Sequence, residues 1–578
     1  MSNPNGIPAR YTRLMHRVHA RISTMASPAT GFTSMPEPRT IGQYARGKQL
    51  VAGNFLFAGH LLTAPNTSMW DLRPPDDVFA QELHGFAWLD DLAAVGDGVA
   101  RDEAQDWVWG WIEQSGRGRG PGWTPDLTGR RLIRWISHAL FLLRARDAAQ
   151  SEAFFQSLAQ QTIFLSRRWR KSLPGLERFE ALTGLIYAGL ALEGMSQHVA
   201  PAVKALDKEC RNQVDTQGGI STRNPEELLE VFTLLTWAAT ALTEAGHAPS
   251  DAHVGAIERV APTLRTLRHA DGGLARFHGG GRGIDGRLDH ALAESRVKTR
   301  QADGLAMGYA RLSAGRTSVV VDASLPPAGE SSINAHASTL AFELTSGRRP
   351  VVVNCGSGSS LGEDWRRFGR ATPSHSALTL DELSSSRLGK LGKGWREEQL
   401  VEGPKDVPIE VTQVPDGIKF QGGHDGYRET HGLTHARTLE LTFDGRGMAG
   451  EDLVVALEDS DKRKFDKMMD QKALQGIPYD IAFHLHPEAD ASLDMGGAAV
   501  SIALKSGEVW VFRHDGAAKM ELVASVFLEK GRIKPRATKQ IVLSGVAMQY
   551  GTRIRWSLSK AHETGVAIRD LNRDEMDL

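Results

Sequence analysis

Apolar residues recur along the first half of the chain at three- and four-residue steps. Arg131–Arg146 reads R-L-I-R-W-I-S-H-A-L-F-L-L-R-A-R, and Ala153–Trp169, Phe179–Met195, Pro225–Leu242 and residues 251–268 follow the same pattern. That recurrence gathers apolar side chains on one face of an α-helix, so each segment is predicted to be an amphipathic helix. The joints carry stop and start signals. Ser172-Leu-Pro-Gly closes one helix, and Thr222-Arg-Asn-Pro-Glu opens another, with Asn224 placed to cap and Pro225 in the first turn. Helix following helix without strands predicts a helical array or an incomplete (α/α) toroid.

Near residue 305 the period becomes two. Thr317–Asp322, Thr339–Leu344, Pro350–Val353, Ala377–Leu380, Ile418–Gln421, Arg437–Phe443, Ile481–Leu485, Val509–Arg513 and Ile554–Leu558 read as strands separated by Gly, Asp, Asn and Pro. Short strands with few helices predict an antiparallel β-sandwich. The fold class expected is therefore α+β and multidomain: a basic, Pro-containing arm over 1–40, a toroid over 41–304 and a sandwich over 305–578. Asp459–Gly476 is a charged insertion, read as a mobile loop or short helix.

Charge narrows the partners. Lys plus Arg number 68 and Asp plus Glu 69 in 578 residues, a net charge of -1. This balance gives no global pull toward nucleic acid or a membrane surface. Arg167, Arg168 and Arg170 form either a local basic patch or a solvated helix end. Two cysteines, Cys210 and Cys355, build neither a disulfide framework nor a CxxC knuckle, which fits a reducing compartment. The opening residues contain no apolar signal core, and no run approaches the ~18 apolar residues of a membrane span. The location expected is cytoplasmic, or periplasmic if the true start lies upstream.

Candidate chemistry gathers in three stretches. In the first, N-A-H-A-S-T-L-A-F-E-L places His336 ahead of an apolar run, Asn354 ends the next run, and P-S-H-S places His375 ahead of a third. Two imidazoles converging on one sheet edge suit zinc, with Asn354 a poorer donor than Asp would be. The alternative is a pair of hydrogen-bonded structural histidines. The second stretch, Asp215-Thr-Gln-Gly-Gly-Ile-Ser-Thr-Arg-Asn-Pro-Glu, delivers Arg223 at a helix entrance, either to clamp a carboxylate or to serve in a salt bridge or cap. In the third, three glycines follow His278, giving a close backbone approach to a ligand or a surface hairpin; no phosphate-loop spacing is present. Trp107, Trp109, Trp111, Trp123, Trp135 and Trp169 either stack on sugar rings in a groove or fill the helical core.

The order of these features resembles the heparinase II/III-like family, polysaccharide lyases built from an (α/α) toroid and an antiparallel β-sandwich. The likeness spans residues 100–560 and is most specific over Asn334–His375. There the family commonly has H-x-H-x-D-x-L-S-F-x-L, a strand ending V-D-P-G, and S-x-H-N. This chain has N-A-H-A-S-T-L-A-F-E-L, V-V-N-C-G and S-H-S. His336 falls on a position that is a metal ligand in some members, Asn354 on the metal-binding Asp, His375 on the last metal-binding His, and Asn334 on a His that is catalytic in some members. A neutral amide on one toroid helix is replaced by Glu177-Arg178-Phe179-Glu180, and the catalytic Tyr after the Asp-Gly turn has no counterpart.

The resemblance implies cleavage of uronic-acid-containing glycans by β-elimination. That reaction needs a group to neutralise the carboxylate, a base at C5 and an acid at the leaving oxygen. The residues implied are Arg223 and Asn224 as neutralisers, His336 or His375 as base, His278 on the helical side and Asn334 beside His336. The cofactor expected is zinc on His336, Asn354 and His375, or none. The partner expected is an acidic oligo- or polysaccharide, with no nucleic acid and no membrane span, and with a homodimer left open. A second reading is a catalytically drifted glycan-binding or glycan-assembly protein on the same fold. A hydrolase with paired carboxylates is a third.

Overall fold

Local capping explains where the helices begin. The Asp147 carboxylate accepts the Gln150 N–H at 2.7 Å while the Gln150 side chain accepts the Asp147 N–H, a reciprocal cap that opens helix Ala148–Arg168. Asn224 Oδ1 accepts from Glu226 N–H at 3.0 Å and opens helix Pro225–Glu244. The segment expected as one helix from Arg131 is two, Pro125–Ser137 and Ala139–Leu143. His138 breaks it: its backbone leaves helical geometry, and its ring bonds Asp90 at 2.9 Å and Thr40 at 3.1 Å. The helices read as Phe179–Met195 and 251–268 are Leu176–Ala191 and Asp251–Leu267. The charged insertion contains helix Asp459–Gln471.

The computed structural model describes residues 7–27, 29–34, 37–299, 302, 304–390 and 398–561. Two compact units emerge. The first comprises Met1–Ile220, Glu227–Ala261 and Gly286–Thr299; the second comprises Ser221–Glu226, Pro262–Asp285 and Arg300–Leu578.

The first unit is helical, apart from a hairpin that the sequence pattern did not predict. Strands Asn54–Phe57 and His60–Thr63 pair through a two-residue turn at Ala58 and Gly59, both with positive φ, as a tight hairpin requires. Helices Pro125–Ser137 and Leu176–Ala191 cross at Gly129 and Gly184. A Cβ on Gly129 would lie 2.2 Å from the Glu180 carbonyl oxygen, and one on Gly184 would lie 2.4 Å from Gly129 Cα, so only hydrogen fits. Four of the six tryptophans singled out in the sequence are core here, while Trp109 and Trp169 are half-buried. Trp107, Trp111, Trp123 and Trp135 are at most 3 % exposed and pack with Phe86 and Trp88. The Arg131 guanidinium lies 4.0 Å from the Trp111 ring centre and donates to Gln161 at 2.7 Å. A charge can stay there because its donors are used and its face is stacked. The N-terminal helix Ile7–Ser23 docks on Ala148–Arg168: Arg168 Nε donates to His16 at 3.1 Å, and Gln160 donates to the Ala20 carbonyl at 3.1 Å.

The second unit is a sandwich of two eight-stranded antiparallel sheets. One runs Ile409–Val414, Gly417–Tyr427, Leu433–Thr442, Gly447–Val455, Gly551–Lys560, Val509–His514, Ala499–Ala503 and Asp490–Asp494. The other runs Lys519–Phe527, Arg536–Ala547, Ile477–Leu485, Arg349–Val353, Phe342–Ser346, Thr317–Asp322 and Tyr309–Ala314, with Leu378–Leu380 also pairing to Ile477–Leu485. Leu433–Thr442 alternates buried and half-buried residues, the period that places one face on the core. Phe342 and Phe483 of one sheet meet Trp556 and Phe512 of the other, with Phe342 stacked on Trp556 at 5.8 Å. Within this core Asp452 accepts from His435, Arg437 and Trp556 at 2.7, 2.8 and 2.9 Å. Among the described residues no helix is long and apolar enough to cross a membrane.

Candidate functional site

The second unit brings His278, His336, His375 and Arg223 into one buried cluster. Strand Thr317–Asp322 ends in a carboxylate, and the 332–340 segment folds back over it before Phe342–Ser346 begins. Arg370 and Thr372 hold that segment: Arg370 donates to the Ala335 and Ser332 carbonyls at 2.7 and 2.8 Å, and Thr372 Oγ1 donates to the Ala337 carbonyl at 2.8 Å. These contacts fix His336 where it is 2 % exposed.

The histidines form a chain of one direction. His375 Nδ1 lies 2.8 Å from the Ala371 carbonyl, which only accepts, so Nδ1 carries the proton. His375 Nε2 then accepts from His336 Nδ1 at 3.0 Å, and His336 Nε2 accepts the Gly279 N–H at 3.0 Å. Backbone groups at both ends leave each ring neutral with every nitrogen engaged. Burial pushes both rings down, His375 to about 3, and His336 is lowered further by the neighbouring His375 and His278. Gly279 allows the approach, with φ +89 and an Asn334 Cβ that would lie 3.1 Å from any Cβ placed there.

His278 and Arg223 surround Asp322. His278 Nδ1 accepts the His336 backbone N–H at 3.1 Å, which turns Nε2–H toward Asp322 at 3.4 Å. Asp322 is 0 % exposed and also accepts from Arg223 at 2.6 Å and Ser338 Oγ at 2.7 Å. Arg223 spends its remaining donors on the carbonyls of Met307, Gly308, Ser324 and Leu325, and its ring neighbour Tyr309 donates to the Arg223 carbonyl at 2.6 Å. Arg223 and His278 both have positive φ, rare for such residues and held here by these bonds. Burial would raise the Asp322 carboxyl, but Arg223 and His278 outweigh it and hold it well below the usual range.

The other expected site residues lie at the edge of this cluster or apart from it. Asn334 is exposed, its Oδ1 accepting from Arg366 at 3.3 Å. Asn224 caps its helix with its amide against Gly280. Asn354 is buried, accepts the Ser376 N–H at 3.1 Å and leaves its Nδ2 without a partner. For zinc, this donor set does not fit as arranged. The His336 and His375 nitrogens bond to each other and to backbone, Asn354 offers one already-occupied oxygen, and among the described residues no group of three or more His, Cys, Asp or Glu could hold a metal ion.

Asp322, Ser338 and Arg370 belong to the cluster and were not anticipated. The available signal was an Asp closing the apolar strand T-S-V-V-V-D, since a carboxylate buried at a strand end needs a cation. In the first unit, the Glu177–Glu180 turn presents carboxylates. Glu180 is bonded by Arg130 at 2.6 Å, and burial with Asp126 and Glu230 nearby pushes it up to about 7 despite Arg130. Of the seven tyrosines, Tyr187, Tyr309, Tyr427 and Tyr479 are buried.

The family model described as Heparinase II/III-like, C-terminal, matches residues 296–557. FtsZ-localized protein C of Caulobacter vibrioides (strain NA1000 / CB15N) is 32 % identical over 547 residues, covering 92 % of this chain and 90 % of that protein. A heparinase III crystal structure superposes with a TM-score of 0.65 at 12 % identity, covering 96 % of this chain and 90 % of that one. A heparan sulfate lyase mutant from Pedobacter heparinus gives 0.56 at 15 % identity, covering 96 % and 88 %. At such identities the structures establish the fold, a helical toroid followed by an antiparallel sandwich, which is that of polysaccharide lyases. With the family model matching residues 296–557 and the shared fold covering 96 % of the chain, the chain belongs to the heparinase II/III-like family.

Proposed function

We propose that this chain keeps the fold of polysaccharide lyases without lyase chemistry and acts as an assembly protein at sites occupied by FtsZ. The observation that carries the reading is the closed imidazole chain: both nitrogens of His336 and of His375 are bonded inside the protein, and neither ring meets solvent. A base that removes the C5 proton must present a free lone pair within hydrogen-bond reach of substrate. Arg223, expected as neutraliser, has its donors on Asp322 and four carbonyls. The tyrosine that the resemblance implies after the Asp-Gly turn has no counterpart in Ile220-Ser-Thr-Arg-Asn-Pro-Glu. In helix Leu176–Ala191, Glu177-Arg178-Phe179-Glu180 stands where the resemblance implies a neutral amide, and Glu180 is buried and bonded to Arg130. The near full-length relative is named for its localisation with FtsZ, and that association is proposed for this chain too.

Uronate β-elimination is the competing reading, supported by the fold and by imidazoles held neutral. Two measurements separate them. Incubation with heparan sulfate, chondroitin, alginate and polygalacturonate across pH 5–9 is expected to give no ultraviolet absorbance from unsaturated uronide; its appearance, abolished by His336→Ala, establishes the lyase. The full chain is expected to sediment with FtsZ polymers, and its absence from that pellet overturns the assembly role.

A further inference from the structure

One sheet edge in the strand-rich unit is left open. The outermost strands of the two sheets are Ile409–Val414, Asp490–Asp494, Tyr309–Ala314 and Lys519–Phe527. An outermost strand offers a row of unpaired N–H and C=O groups to any extended chain, and folds protect such rows. Three of the four are protected here. Ile409–Val414 carries Glu410 and lies between Pro408 and Pro415. Asp490–Asp494 is short and has a carboxylate at each end. On Tyr309–Ala314, Arg311 donates to the Thr266 and Arg268 carbonyls at 2.8 and 2.7 Å, which lays chain along that edge. The fourth, Lys519–Phe527, has no proline, and its final stretch L-V-A-S-V-F has no charge.

Strand alternation shows which groups face out. Lys519–Phe527 pairs with Arg536–Ala547 on one side, and among the described residues no other backbone pairs with it on the other. Just past its end the Leu528 N–H turns to the Cys355 carbonyl at 2.6 Å, and the Val526 N–H faces the Cys355 sulfur. At two-residue steps back from these, Ala524, Leu522 and Met520 present their N–H and C=O groups outward. Val523 is 37 % exposed, and Ala524 is exposed beside it. Cations gather where this edge ends. Lys530, Arg532, Lys534 and Arg536 follow Phe527, and Glu529 is the one carboxylate among them. Lys530 reaches Glu226 at 3.1 Å, while Arg532 and Arg536 share Glu529 at 3.4 and 3.3 Å, so positive charge is left over. We infer that strand Lys519–Phe527 is a docking edge for an extended acidic peptide of a partner protein, which adds as an antiparallel strand along Met520–Ala524 and sets its carboxylates on the 530–536 cations. The neighbouring pairs of this sheet are antiparallel, so the carboxylates precede the uncharged run of the peptide. The inference is independent of the FtsZ reading, because it needs only this edge and its cations.

Fluorescence anisotropy of labelled peptides with the full chain tests it. The peptide E-E-E-V-T-V-T-V is expected to bind saturably and about tenfold more tightly than K-K-K-V-T-V-T-V, a difference that shrinks as salt is added. N-methylation of its V-T-V-T-V run removes the donors that an added strand needs and is expected to weaken binding about tenfold. Ala524→Pro removes an outward N–H, at a place where an edge strand accepts proline, and is expected to weaken binding about tenfold too. Arg532→Gln with Lys534→Gln is expected to lose about fivefold on the acidic peptide and little on the lysine one. All three positions are exposed, and the melting midpoints of the variants are measured alongside. Should Ala524→Pro lower its midpoint, the N-methylated peptide and the Arg532→Gln/Lys534→Gln variant decide. No saturable binding, equal binding of the acidic and lysine peptides, or undiminished binding of the N-methylated peptide overturns the proposal. So does undiminished binding by Ala524→Pro at an unchanged midpoint. Sedimentation in which the wild type is a dimer and Ala524→Pro a monomer overturns it as well, since a second copy then covers the edge.

Discussion

Asp322→Asn probes the buried cluster most directly, because it keeps the side-chain outline and removes the charge. Asp322 accepts from Arg223 at 2.6 Å and from Ser338 at 2.7 Å and is 0 % exposed. After the change a buried guanidinium has no counter-ion. Removing one partner of a buried pair costs about 3–5 kcal/mol. Four carbonyls still accept from Arg223, which places the expectation near ~3 kcal/mol. In a unit of this size that lowers the melting midpoint by about 6–12 °C. The chain has two units, so thermal unfolding should be followed by calorimetry, where the transition of the strand-rich unit shifts and that of the helical unit stays. Arg223→Met with Asp322→Leu removes both charges and is expected to recover at least half of the loss. A single variant within about 2 °C of wild type, or a double variant as damaged as the two singles added, refutes the account.

Acid should unfold the protein early. His84, His375 and His484 are pushed by burial to about 3, about 3 and about 4. Their folded values lie below the unfolded one, so stability is full above about pH 6.5 and falls by roughly 1.4 kcal/mol per pH unit per histidine below it. Asp322 adds a second loss below about pH 4, because its folded value is depressed; urea midpoints that stay flat from pH 7.5 to 4 would contradict the histidine account, and ones with no further fall from pH 4 to 2.5 would contradict the Asp322 account. Gly129→Ala should destabilise by about 2–4 kcal/mol through its clash with the Glu180 carbonyl, read from urea unfolding, and an unchanged midpoint means the helices part freely. Zinc added to the wild-type chain should leave its melting midpoint unmoved, and stoichiometric uptake by elemental analysis would show that the His336–His375 bond opens for metal. His336→Ala should lose about 2–4 kcal/mol by stranding the Gly279 N–H and His375, yet still sediment with FtsZ below its melting point.

The architecture was legible because period and burial agree. Thr317–Asp322 is a strand as read, and Ile477–Leu485 and Gly551–Lys560 extend the segments read as Ile481–Leu485 and Ile554–Leu558. Boundaries slipped where side chains, not propensity, decide them: His138 ends a helix through Asp90, a partner distant in sequence. His336 and His375 could be paired from sequence by resemblance, but spacing does not give the direction of their hydrogen bonds. Ala371 and Gly279 set that direction, through a carbonyl and an N–H that belong to every residue and mark none. Arg223 looked like a clamp for the same reason: a guanidinium at a helix entrance serves a ligand or the fold, and only Asp322 and four carbonyls tell which.

The way the two units share the chain has a practical genetic consequence. Ser221–Glu226 and Pro262–Asp285 belong with the strands, although most residues around them belong to the helical unit. A fragment cut at the change of sequence pattern, starting at Arg300, would carry Asp322 but neither Arg223 nor His278, and His336 without the Gly279 N–H. Such a piece strands a carboxylate in a dry interior and should fail to fold, whereas a nicked chain keeping both segments should hold together. Deletions that seem to remove one unit therefore injure the other, and their phenotypes report on the whole protein.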